Sequence, residues 1–227
     1  MSLRFFNALT SRLEPFAPAV PPHIDFLWKG DRAREGELGA QRAAALVGTL
    51  MDALVHLGYS VNQAIEGGAE PLELYFGAEP PPEGTRVWLR PGAPLVSFEG
   101  PEVTRGELER RGFGAPELRL LTLGARYREP LRFTWEALEA AREELSRVRT
   151  LARGLEASHG SSAPSLAGLA GYKKRLRDAL ADDLDFPKAW ASVRAGLRPG
   201  ALSPGSQLGV LREAELVLGL DLFRVPG

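Results

Sequence analysis

The sequence predicts an α/β protein in which a short parallel-sheet unit is followed by an α-helical bundle. Three observations point there. A strand, a helix and a second strand follow one another between residues 24 and 65. From Pro116 onward, apolar residues recur at helical spacing in several separate blocks. Pro, Gly and Thr stand where those blocks begin and end.

In chain order, residues 3–16 read as an edge strand and a turn, stopped by Pro15 and Pro18. Ile24-Asp25-Phe26-Leu27-Trp28 is a short apolar run after two prolines and suits a buried strand. A polar loop spans residues 29–36. Ala43, Leu46, Val47, Leu50, Leu54 and Leu57 then share one helical face, with Gly58 placed to end it. Residues 59–65 return as a second strand, which makes a right-handed βαβ unit of Rossmann-like type. Residues 72–76 and 86–89 are further short strands around a triple-proline turn. Thr104 with Glu107 has capping-box spacing for a short helix closed by Gly112. Pro116 opens a helix running to about Leu123, and Thr134 caps a longer one that Gly154 ends. Residues 156–171 are rich in Ser, Gly and Ala and read as a flexible connection. Leu176/Leu180, Trp190/Val193/Leu197 and Leu208/Leu211/Leu218 mark the remaining helices. The expected division is residues 1–115 for the shortened Rossmann-like part and 116–227 for the bundle.

With 227 residues the chain can fold around its own core, and with no cysteine it has neither disulfides nor thiolate metal sites. His23, His56 and His159 share no ligand spacing, so no zinc and no other cofactor is expected. No apolar run is long enough to span a membrane and no leader pattern opens the chain. The expectation is a soluble cytoplasmic protein. A net charge of −1 argues against non-specific nucleic-acid binding over the whole surface.

Several segments carry a family resemblance. Leu3-Arg4-Phe5-Phe6-Asn7-Ala8-Leu9-Thr10 is one. Pro116-Glu117-Leu118-Arg119-Leu120-Leu121, leading into Ala125-Arg126-Tyr127-Arg128-Glu129-Pro130-Leu131-Arg132-Phe133, is the second. Residues 177–187, with Asp182-Asp183-Leu184-Asp185-Phe186-Pro187, are the third, and residues 211–222 a weaker fourth. In that order they resemble cysteinyl-tRNA synthetase, a class I synthetase. The resemblance implies a truncated, degenerate relative. In that family, imidazoles of a "HIGH" signature and lysines of a "KMSKS" signature stabilise charge on the phosphates of ATP. Alignment on Leu57-Gly58-Tyr59 puts the first signature on Glu37, Leu38, Gly39 and Ala40, where only the glycine is kept. Alignment on Gly100 and Val103-Thr104 puts the second on Pro94, Leu95, Val96, Ser97 and Phe98, with both lysines gone. Lys29 stands where a zinc-binding cysteine is expected.

Other candidates are weaker. Glu35 and Glu37 are two apart in a loop and read as solvated charges before an acid–base pair. Asp182, Asp183 and Asp185 could hold a divalent ion, although Asp185 better caps the helix opened by Pro187. Arg126, Arg128 and Arg132, with Lys173, Lys174 and Arg177, are the candidate RNA-binding residues, because the resemblance places this region near the tRNA. The expected function is therefore binding without catalysis, the partner being another protein or a second copy that covers an edge of the shortened sheet. Two alternatives stay open: a tRNA-binding module, and an ATP-dependent ligase with altered chemistry.

Overall fold

A computed structural model describes residues 2–29, 38–63, 72–92, 96–98, 103–158 and 166–223. The chain starts with an antiparallel hairpin, β1 (Leu3–Asn7) and β2 (Arg12–Phe16), and not with the single edge strand expected. Pro15 pairs with Arg4, whose carbonyl accepts from the Asp183 N–H at 2.9 Å on the far side. At that position the missing proline N–H costs the ladder nothing, so the proline does not end the strand.

β3 (His23–Trp28), α1 (Leu38–His56) and β4 (Ser60–Gln63) form the expected parallel βαβ unit. β5 (Leu74–Phe76) and β6 (Val87–Leu89) extend it on the other side of β3, giving a four-stranded parallel sheet of order β4-β3-β5-β6. Leu46, Val47, Leu50 and Leu54 of α1 are buried, and Gly58 turns the chain with φ 99. The β6 edge is closed by Asn7. Its Oδ1 accepts from Trp88 N at 3.0 Å, its Nδ2 donates to Arg86 O at 3.0 Å, and Ala8 N donates to Trp88 O at 2.9 Å. A side-chain amide and one peptide thus stand in for a fifth strand.

Two three-residue strands, β7 (Val96–Phe98) and β8 (Leu131–Phe133), pair in parallel, a contact absent from the sequence expectation. α2 (Arg105–Arg110) is capped by Thr104, but Glu107 pairs with Arg111 instead of completing the box. In α3 (Ala115–Leu123) the Glu117 carboxylate accepts from Gly114 N at 2.9 Å.

α4 (Trp135–Ala157) passes through Gly154, because Leu155 is buried in the core and holds the last turn. α5 (Leu166–Ala181) takes up residues expected to be a flexible link. It packs closely on α7 (Pro204–Leu218): a Cβ at Gly209 would lie 3.1 Å from Leu169 Cδ1. α6 (Phe186–Gly196) packs against both, with Asp185 accepting from Lys188 N as the expected cap. One apolar core runs from Leu3 through β3, β5 and α1 into the bundle as far as Leu222.

Candidate functional site

Of the positions that the sequence resemblance aligns with the two nucleotide signatures, Leu38 and Val96 meet at the start of α1. Glu37, Pro94 and Leu95 lie outside the described residues, as do Glu35 and His159, and of Phe98 only the backbone is described. Leu38 is 0 % exposed and shares an apolar cluster with Val96, Val103, Leu108, Leu118 and Leu131. Ser97 Oγ donates to the Leu131 carbonyl at 3.4 Å, which occupies the hydroxyl within the β7–β8 pair. Arg42, a turn further along α1, is buried and donates to Arg126 O at 3.1 Å. Burial lowers its pKa to about 10, with Glu129 opposing, so it stays charged at neutral pH. Leu38 and Val96 supply no charge or hydrogen bond to a phosphate.

A second constellation is polar and dense. Asp183 is 2 % exposed and sits in the turn between α5 and α6. Its Oδ1 accepts from Phe6 N at 2.7 Å and from the Tyr127 hydroxyl at 2.8 Å, and its Oδ2 from Arg128 Nε at 2.8 Å. On either side, Arg4 pairs with Asp182 at 2.5 Å and Arg126 with Asp185 at 2.5 Å. Arg128 also lies over the Phe6 ring, 4.4 Å from its centre. Burial, with Asp183 alongside, holds the Tyr127 hydroxyl well above its ordinary pKa, so it remains a donor. Three segments far apart in sequence are fastened here: β1, the α3–β8 connection and the α5–α6 turn.

A related fastening closes the other end. Arg119 donates to Gly219 O at 3.1 Å, where Gly219 ends α7 in the left-handed region at φ 56. Arg149 donates to Leu220 O and Asp221 O at 3.1 and 2.9 Å and pairs with Glu117.

No family model matches this sequence. Curated proteins do. The cysteine–tRNA ligase of Treponema pallidum is 31% identical over 142 residues, which are 55% of this chain and 27% of that protein. The cysteine–tRNA ligase of Gluconobacter oxydans is 45% identical over 80 residues, covering 35% and 16%. The L-cysteine:1D-myo-inositol 2-amino-2-deoxy-alpha-D-glucopyranoside ligase of Kytococcus sedentarius is 32% identical over 142 residues, covering 58% and 32%. Over about half its length the chain is similar to cysteine–tRNA ligases. It spans well under half the length of the curated relatives it matches.

Three segments that carry the sequence resemblance, residues 3–10, 116–133 and 177–187, supply Phe6, Tyr127, Arg128 and Asp183, the partners of one buried hydrogen-bonded junction. The sequence offers Asp182, Asp183 and Asp185 as a divalent-ion site and prefers Asp185 as a helix cap, because the arginines that face them are more than fifty positions away. Among the described residues no three His, Asp or Glu side chains converge for a metal ion.

The candidate RNA-binding residues divide in two. Arg126 and Arg128 are engaged by Asp185 and Asp183. On α5, Lys173 pairs with Glu213, Lys174 pairs with Asp178, and Arg177 donates to Leu57 O at 3.2 Å. Arg132 is exposed on β8. His23 is exposed at the start of β3.

His56 closes α1 against the bundle, its Nε2 3.8 Å from the Glu213 carboxylate. Burial lowers its pKa below 6.5; Glu213 opposes the shift, while Arg177 and Lys173 add to it. The unfolded chain takes up this proton near pH 6.5 and the folded chain resists it, so stability falls as pH drops below that value. Urea midpoints measured from pH 7.5 to 5.5 should decline, with a slope of at most about 1.4 kcal/mol per pH unit from one proton. His56→Gln should flatten that slope.

Proposed function

We propose that this chain is a non-catalytic relative of cysteine–tRNA ligase that acts by binding a protein partner or a second copy of itself. The observation carrying this reading is the apolar packing of Leu38 with Val96. Activation of an amino acid builds charge on the α-phosphate of ATP, and preorganised donors or cations must meet it. A leucine and a valine packed together meet it with neither. The folding determinants, in contrast, are satisfied: the buried carboxylate of Asp183 has three donors and the ends of α2, α6 and α7 have caps. Such a chain keeps a stable surface for recognition after the chemistry has gone.

ATP–pyrophosphate exchange with each amino acid tests the reading. No amino-acid-dependent exchange is expected; exchange dependent on any one amino acid would overturn it. The same assay bears on the ligase alternative, which the name of the Kytococcus relative favours. The relatives' names favour a second binding reading, tRNA contact through Arg132 and the α5 cations. A tRNA gel shift that weakens steeply with salt would support it over a protein partner.

A further inference from the structure

We propose that the groove beside the start of α1 binds a short, uncharged aliphatic peptide segment of a partner protein. This rests on the binding role proposed above and names what is bound. A cavity of about 500 Å³ opens between α1, α2, the start of α3 and the end of α7, within the roughly 300–1,000 Å³ range of ligand sites. Its lining includes Ala44 and Ala45 on α1, Leu108 on α2, Phe113 just before α3 and Leu118 within it. Small side chains on one wall and larger apolar ones opposite leave room for an aliphatic side chain rather than a flat charged headgroup.

Two further features select the occupant. Gln41 lines the same cavity, and its Nε2 is shut off from solvent with no hydrogen-bond partner among the described residues. A buried donor without an acceptor is costly, and the last torsion of a glutamine is soft. A turn about that torsion brings the amide to the cavity, where a peptide carbonyl seated on the apolar floor would satisfy it. The rim charges balance: Arg105 pairs with Glu109 at 2.7 Å, and Arg119, which donates to the Gly219 carbonyl, shares the lining with the carboxylate of Asp221. No excess of positive charge is left for a phosphate or a carboxylate, so the complement is neutral. An aliphatic side chain together with its backbone carbonyl meets all these conditions.

The test uses the full chain and N-acetyl-leucyl-leucinamide as the probe, followed by NMR. Saturable shifts are expected at the Gln41 side-chain amide and at the backbone amides of Ala44, Ala45 and Phe113, with millimolar affinity. N-acetyl-lysyl-lysinamide and Mg-ATP should leave those signals in place. Ala44→Trp is made at an exposed position and so keeps the fold while filling the groove; it should abolish the shifts. Gln41→Leu should weaken binding about fivefold to tenfold, the worth of one hydrogen bond. Absence of saturable shifts at these residues, or shifts that persist unchanged in Ala44→Trp, overturns the proposal. A negative peptide result together with absent pyrophosphate exchange removes this groove alone, whereas amino-acid-dependent exchange removes the non-catalytic reading whatever the peptide does.

Discussion

Asp183→Ala should destabilise the protein by about 4 kcal/mol, the range seen when one partner of a buried ion pair is removed. Three donors lose their acceptor together: Phe6 N, the Tyr127 hydroxyl and Arg128 Nε. Tyr127 is 1 % exposed, so water cannot replace the carboxylate at that hydroxyl without opening the core. The guanidinium keeps its place over Phe6 but loses its counter-charge. Backbone strain adds to the loss, since Asp183 and its neighbour Leu184 sit at φ 58 and 53. Asp and Asn tolerate that region better than alanine does. Asp183→Asn should therefore cost less, about 2 kcal/mol, by keeping the turn while giving up the charge. Urea unfolding at pH 7 measures both. A loss below about 1 kcal/mol for the alanine variant would mean that the junction is not a cooperative unit.

Local signals in the sequence carried most of the fold. The β3–α1–β4 unit was legible because its apolar face repeats and Gly58 stops the helix. Asp185 was legible as a cap because Pro187 and the Lys188 N–H that donates to it lie within three residues. The starting hairpin was not, because Pro15 reads as a breaker until Arg4 is seen to bond outward to Asp183. β7 and β8 are three residues each and are held by a partner more than thirty positions away, so no local pattern marks them. The same limit applies to the sites. That residues 37–40 hold no histidine and residues 94–98 no lysine is visible in the letters alone. That Leu38 turns into an apolar cluster, and that Arg126 and Arg128 face carboxylates from another helix turn, depends on long-range contacts. The serine- and glycine-rich composition of 156–171 misled at 156–157 and 166–171, residues 159–165 lying outside the described residues, for a related reason: Leu155, Leu169 and Tyr172 anchor their helices to the core, and packing outweighs weak helix propensity.

Leu38→Ala should also be costly, by about 3 kcal/mol, as for other leucines removed from a packed interior. This substitution separates two pictures of the same residue. Lining an open nucleotide pocket, Leu38 would be partly hydrated, and truncating it would change stability by about 0.5 kcal/mol or less. Packed with Val96 and Leu131, it leaves a cavity that neither β7 nor β8 can close, because each is held by the other's backbone. Mg-ATP gives the complementary measurement. A ligand at a concentration equal to its Kd stabilises the folded state by RT ln 2, about 0.4 kcal/mol. With an affinity no better than millimolar, 1 mM Mg-ATP should raise Tm by less than about 2 °C. A thermal scan of the unmodified chain and of Leu38→Ala, each with and without nucleotide, yields four values. A large drop on truncation and a negligible rise with ATP fit a filled pocket. A small drop and a rise of several degrees fit an open one, and the proposed loss of catalysis would then have no physical basis.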